Sequence, residues 1–174
     1  PGRAPRKRRS PPSCALLRAA LEAEGVDLSH VREVAGGETG RARIAHEGGD
    51  RRFLGARPGV RGRYALDAAD LAFVAAHDLV HTSCNSDLDG EVARIAQAAR
   101  LLSYDYSEKW TDARLAATLA HVDIAFLSAP GRDDAACAAL LARIVAAPRA
   151  AGRPGPARMA IVTRGAAGAM ARSG

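Results

Sequence analysis

The sequence predicts an α/β fold built on a parallel sheet with helices on its faces. Two observations carry this. From residue 67 onward, apolar segments of five to seven residues alternate with segments of helical period. Successive strand-like segments are joined through one helix-length segment, and such a connection forms a right-handed crossover between parallel strands.

The elements follow in order. PGRAPRKRRSPP (1–12) sets prolines among basic residues and is expected to be a disordered basic tail. Ser13 caps a helix running to Glu24, with Leu16, Leu17 and Leu21 on one face and Gly25 as its stop. HVREV (30–34), ARIAHE (42–47) and RRFLG (51–55) are strand-like, with turns at the glycine pairs 36–37 and 48–49. Their mixed polarity suits a small β meander that projects from a larger fold. DAADLAFVAAH (67–77) is helical, with Asp67 as cap and Asp70 three residues on. DLVHTS (78–83) is a buried strand whose His81 is expected to be a satisfied core histidine. Then come a helix over 88–100, the strand LLSYD (101–105) and a helix over 111–122 capped by Thr111. The strand DIAFLS (123–128), a helix over 133–147 and the strand ARMAIVT (157–163) follow, and a glycine-rich turn comes after. No segment repeats at a fixed period.

Composition narrows the function classes. The chain is 48% hydrophobic and 25% charged, as a folded protein is. Five of the 25 basic residues lie in residues 1–12, leaving 20 against 19 Asp+Glu over the rest. The folded part is therefore close to neutral, and no basic stripe with interleaved aromatics marks a nucleic-acid surface. Arg outnumbers Lys 23 to 2, which looks like the composition of a GC-rich gene rather than chemistry. Cys14, Cys84 and Cys137 form no close pair, and no signal-peptide or membrane-length apolar run is present. A reduced cytoplasmic protein fits.

In sheets of this kind ligands sit beyond the carboxyl ends of the strands, so 82–87, 105–110, 128–132 and 163–168 are the segments of interest. Thr82, Ser83, Asn85 and Ser86 suit hydrogen bonds to a polyhydroxylated ligand, and equally serve turns and helix caps. SYDYSEKW gathers three of the seven aromatics, Tyr104, Tyr106 and Trp110, beside Asp105 and one of the two lysines, Lys109. The Asp105 carboxylate can accept from sugar hydroxyls or cap its loop. Tyr106 and Trp110 can wall a pocket or pack the loop onto the sheet. SAPGRDD leads into a helix whose N-terminus favours anions, but Asp133 and Asp134 argue against a tight phosphate cradle. VTRGAAGAM delivers Thr163 with Gly165 and Gly168, which permit positive φ and close backbone approach. TxGxxG alone is a common pattern after strands.

Taken together, EGVDLSHV (24–31), the strand ending DLVHTS, SYDYSEKW, HVDIAFLSAP (121–130) and IVTRGAAGA (161–169) resemble the ribokinase (PfkB-type) sugar kinases over roughly residues 20–170. SYDYSEKW with HVDIAFLSAP is specific for the fructosamine-kinase branch, whereas TxGxxG is shared by the superfamily. The resemblance implies a ribokinase-like three-layer α/β/α sandwich with a parallel sheet core and a small projecting β lid at about 30–56. It implies transfer of the γ-phosphoryl of ATP, with Mg2+, to the 6-hydroxyl of a fructoselysine-like sugar. By the same resemblance, Ser128, Thr163, Gly165 and Gly168 bind the nucleotide, and Thr82, Asn85 and Asp105 face the sugar. The partners implied are a small-molecule sugar and ATP, with a homodimer through the lid, and neither nucleic acid nor a membrane. The family's base is the Asp of a Gly-Ala-Gly-Asp motif, which these 174 residues do not contain, so no catalytic residue is assigned. Ser128-Ala-Pro-Gly131 departs from the Asn-x-x-Glu of ribokinase, so no metal ligand is carried over.

The first residue is Pro and the last segment is ARSG, which suggests a fragment truncated at both ends, with 13–174 a partial kinase domain, inactive alone. Two other classes stay open. One is a non-catalytic α/β module that binds a nucleotide or sugar. The other is a nucleic-acid binder driven by the basic tail.

Overall fold

A computed structural model describes residues 13–47, 50–152 and 158–174. The basic tail and the turn expected at 48–49 lie outside these residues. The chain divides into two compact units, residues 1–63 and 64–174.

In the first unit α1 spans Ser13–Ala23. Arg18 holds it locally, 3.5 Å from Glu22 and 3.4 Å from Glu33. The strand expected over 30–34 does not form. Tight turns flank the segment instead, Val31 N donating to Leu28 O and Gly37 N to Val34 O, both at 3.0 Å. Val31 and Val34 stay exposed, so no burial rewards an extended conformation. The meander is therefore a two-stranded antiparallel hairpin, β1 (Arg41–Glu47) with β2 (Asp50–Arg57). A bulge interrupts the register between Arg43 and Ile44, where Leu54 of β2 is the extra residue. A 3-10 turn over Gly59–Arg63 ends the unit. Gly59 has φ +62, and a Cβ there would lie 2.2 Å from the Glu38 carbonyl oxygen, so only glycine fits.

In the second unit the elements alternate as expected. They are α2 (Ala68–Ala75), β3 (Val80–Ser83), α3 (Val92–Ala98), β4 (Leu102–Asp105), α4 (Asp112–Thr118), β5 (Ile124–Ser128), α5 (Asp134–Ala146), β6 (Met159–Thr163) and β7 (Ala169–Ser173). The strands stand in the order β3-β4-β5-β6-β7. The first four are parallel, and β7 returns antiparallel to β6. This last strand was not foreseen, because AMARS lacks the β-branched and aromatic residues that announce one. Its ladder to β6 supplies the order that its side chains do not. The helices expected over 88–100 and 111–122 are shorter than their periodic patterns, because one end of each winds as a 3-10 turn, Asp89–Glu91 and Leu119–His121.

The core lies on one face of this sheet. Strand alternation sends Leu102, Tyr104, Ala125, Leu127, Ala160 and Val162 to that face, all at most 1% exposed. They pack with Val92 and Ile95 of α3, Leu115 of α4, and Cys137, Leu141 and Ile144 of α5 in one cluster. His81 points the other way. It is exposed, with Nδ1 3.0 Å from the Ser103 hydroxyl, so it is satisfied as expected but is not a core residue.

The amino ends of the strands are held by two buried charges. Asp123, just before β5, accepts from Leu102 N at 2.8 Å and pairs with Arg149. Arg158, just before β6, is 1% exposed and has no carboxylate partner among the described residues. Its guanidinium donates to the carbonyls of Leu119 (2.6 Å), Val122 (3.0 Å), Ile144 (3.0 Å) and Ala147 (2.8 Å). Several of these are helix-end carbonyls, where a cation is favoured. Burial lowers the Arg158 pKa, with the nearby Arg149 adding to that effect.

Candidate functional site

The registers Ser83 with Asp105, Asp105 with Phe126, and Ser128 with Thr163 bring the four strand ends to one edge of the sheet. By alternation Ser83, Asp105, Ser128 and Thr163 share the face opposite the core. Thr82 does not join them. It stands in register with Tyr104 on the core face, buried, its hydroxyl without a hydrogen-bond partner among the described residues.

The loop after β3 is mostly turn chemistry. The Ser83 hydroxyl accepts from Asn85 N at 3.2 Å and lies 3.3 Å from that of Ser86. The Asn85 side chain reaches across to the next loop, accepting from Lys109 Nζ at 2.6 Å. Asp105, half-buried, uses Oδ1 to accept from Ser107 N at 2.7 Å, and Oδ2 has no hydrogen-bond partner among the described residues. This bond holds Ser107 at φ 51, a left-handed conformation that an Asx turn supports. Ser107 O then accepts from Ser128 N at 2.8 Å, tying the β4 loop to the end of β5.

The aromatic cluster splits by role. Tyr104 and Tyr106 are completely buried and pack against each other, ring centroids 4.4 Å apart. Tyr106 is therefore no pocket wall. Its hydroxyl lies 2.9 Å from that of Thr118 on α4, and burial pushes its phenol up to about 12. Tyr104 donates to Asp89, and burial followed by that hydrogen bond pushes its phenol up as well. Trp110 is half-buried; its indole N–H donates to Ser128 O at 3.0 Å, and the Arg132 guanidinium lies 4.8 Å from its ring centroid. Trp110 is a brace between the loops after β4 and β5.

The remaining two loops differ in openness. Asp133 caps α5 by accepting from Ala136 N at 2.7 Å, and Asp134 pairs with Arg164, so carboxylates occupy the α5 N-terminus. After β6 the chain makes a 3-10 turn over Gly165–Ala167 with Gly165 at φ 62 and Gly168 at φ 80. Nothing lies within 4 Å of where either Cβ would be, so the glycine backbone faces open space. The Thr163 hydroxyl donates to Leu127 O at 3.4 Å. This edge suits a ligand with phosphates or hydroxyls, contacted by the turn backbone and by the Ser128 and Thr163 side chains. Among the described residues no group of three or more His, Cys, Asp or Glu is placed to hold a metal ion.

Sequence reasoning missed Asp89 and Arg114. Arg114 Nε donates to Asp89 Oδ2 at 2.8 Å, and Nη1 donates to Lys109 O at 2.9 Å. The hydrogen bond to Asp89 raises the Arg114 pKa. In the sequence both look like ordinary surface residues of helices. Only the crossover geometry brings them together.

A mainly parallel sheet with a crossover helix between each pair of parallel strands, and polar loops gathered at the carboxyl edge, defines an α/β protein of the ribokinase-like class. Solved structures agree. An adenosine kinase from Anopheles gambiae superposes with a TM-score of 0.74 at 16% identity, covering 92% of this chain and 53% of that one. Ribokinase from Giardia lamblia gives 0.68 at 18%, covering 91% and 54%. More particularly, residues 14–174 match the pfkB family carbohydrate kinase model, and the chain belongs to that family. It is similar to fructoselysine 6-kinase of Shigella flexneri, 33% identical over 119 residues, 68% of this chain and 45% of that protein. It is also similar to fructosamine kinase FrlD of Bacillus subtilis, 32% identical over 158 residues, 88% of this chain and 52% of that protein. The chain thus spans about half the length of these relatives. Among the described residues no helix is long and apolar enough to cross a membrane.

Proposed function

We propose that this chain carries the sugar- and nucleotide-facing edge of an ATP-dependent kinase that phosphorylates a fructosamine, of the fructoselysine kind, at its 6-hydroxyl. One observation supports this above others: Asp105, Ser128 and Thr163 stand at adjoining strand ends on one face, with a carboxylate oxygen of Asp105 unengaged. In this reading Asp105 and Asn85 accept from sugar hydroxyls and Thr82 shapes the end of β3. Ser128, Thr163 and the backbone at Gly165 and Gly168 hold the phosphates of ATP. When bound, ATP supplies the transferred phosphoryl group, and the residues here orient it. Mg2+ would accompany the nucleotide's phosphates, and no step is assigned to it.

The hairpin β1–β2 is assigned the lid role. Its exposed Ile44 and Phe53 favour a homodimer through that element. A cytoplasmic location accords with three free cysteines. The family's base motif Gly-Ala-Gly-Asp is not among these 174 residues. The expected outcome is therefore that the chain binds fructoselysine without turning over ATP, while a chain carrying that motif releases ADP in a fructoselysine-dependent way. Coupled detection of ADP checks both. Fructoselysine-dependent turnover by the 174 residues alone would sink the assignment of the base, and no turnover in the extended chain would sink the kinase reading.

A further inference from the structure

We propose that Asp89 and Arg114 form a positioning pair that sets the two sugar-facing loops relative to each other, a role that rests on the sugar-kinase reading above. Asp89 opens the 3-10 turn before α3, in the connection that leaves β3. Arg114 lies in the first turn of α4, in the connection that leaves β4. The two connections meet through one ion pair, Arg114 Nε to Asp89 Oδ2 at 2.8 Å. Each partner also carries a second contact that reaches a loop or strand of the site. The other oxygen of Asp89 accepts from the hydroxyl of Tyr104, whose neighbour Asp105 ends β4. Arg114 Nη1 donates to the carbonyl of Lys109 at 2.9 Å. Lys109 in turn donates from Nζ to Asn85 at 2.6 Å. The contacts thus close a ring: β3 loop, Asp89, Arg114, Lys109 and back to Asn85 in the β3 loop.

The geometry requires arginine. One planar guanidinium serves a carboxylate and a carbonyl at once from two different nitrogens, and a lysine ammonium cannot hold both with fixed direction. The contacts of the pair are to each other, to Tyr104 on the core face and to the Lys109 carbonyl, so the pair acts through the loops. Asp105, Asn85 and Trp110 depend on where the 105–110 segment sits, and the Lys109 carbonyl is the point at which α4 grips that segment.

Trp110 is the chain's only tryptophan and lies next to the gripped carbonyl, so its emission reports the loop directly. The test compares wild type with Arg114→Met, Asp89→Asn, the double variant and Arg114→Lys. Acrylamide quenching of Trp110, fructoselysine affinity by calorimetry, and amide exchange at Leu127 and Val162 are measured for each. The expected result is stronger quenching and a Kd raised at least tenfold in both single variants. The double variant should be no worse than Arg114→Met, because the contacts act in series. Arg114→Lys should recover part of the affinity, and exchange at Leu127 and Val162 should stay as in wild type. Unchanged quenching in Arg114→Met overturns the proposal. So does loss of protection at Leu127 and Val162 together with the loop, which would make the pair a general support of the core. If wild type itself fails to bind fructoselysine, the sugar-kinase reading falls, and the quenching and exchange results still decide whether the pair sets the loop.

Discussion

Tyr106 shows how a residue's meaning changes between sequence and structure. In the sequence it sits beside Asp105 and Trp110 and invites a pocket. In the fold it is sealed between sheet and α4, with its hydroxyl on Thr118. Strand alternation explains this: Asp105 faces the open side, and the residues flanking it turn inward. The sequence could not tell them apart because the cluster lies at the strand's end, where the alternation has only four residues to declare itself. Asp105 itself was legible from its position after an apolar strand, whereas Asp89 and Arg114 were not, since their partners are 25 residues apart. The buried phenol has a testable consequence. Tyr106 keeps its proton in the fold up to about pH 12, whereas an unfolded tyrosine ionises near pH 10. A raised folded pKa gives stability that is complete below about pH 10 and is lost as the pH rises through 12. Tyr104 is shifted in the same direction, so the comparison must be made against Tyr106→Phe. Wild type should lose roughly 2–3 kcal/mol relative to that variant across this window, by urea unfolding at each pH. A difference that is flat with pH would contradict the buried phenol.

Elements were legible wherever a cap or a period announced them. Asp67 and Asp70 form a reciprocal capping box at 2.9 and 3.0 Å, Thr111 accepts from Arg114 N at 3.2 Å, and Asp133 accepts from Ala136 N at 2.7 Å. All three helix starts were marked in the sequence by these residues. One strand assignment failed and one strand went unassigned, for opposite reasons. HVREV has strand-like residues but pairs with no strand among the described residues, and the Val31 amide closes a turn. AMARS has weak strand residues but β6 beside it. Pairing, which is tertiary, outweighed propensity in both. Arg158 is the other element-scale surprise, since nothing in GPARM announces a buried cation. It joins the end of the α4 segment to the end of α5 through four carbonyls. Arg158→Met relieves a buried charge but takes the guanidinium from the Val122 and Ala147 carbonyls, while Leu119 O and Ile144 O keep the Val122 and Ala147 amides. Because each orphaned acceptor costs about 1–3 kcal/mol, the loss outweighs the relief. A destabilisation of about 2–4 kcal/mol in urea is expected, and a neutral or more stable variant would show that the carbonyls find water instead.

At the scale of the whole molecule, the division of labour runs along the strands. Asp123 and Arg158 lock the amino ends, and one face carries the apolar core. The carboxyl ends are left with polar loops, an open glycine turn and a half-buried carboxylate. The parallel order and the crossover helices were legible from alternation of period alone. The family was legible from SYDYSEKW, HVDIAFLSAP and the TxGxxG segment. The cross-links that turn four loops into one edge were not, because each joins residues far apart in the chain, as Lys109 to Asn85 and Ser128 to Ser107 do. The most direct test of the account is calorimetric titration of fructoselysine into the chain and into Asp105→Asn. The amide can still accept from Ser107 N, so the loop persists while the charge is lost. The account predicts saturable binding by wild type, weakened at least tenfold in Asp105→Asn, as expected for loss of hydrogen bonds to a charged acceptor. No binding by wild type, or equal binding by the variant, would contradict it.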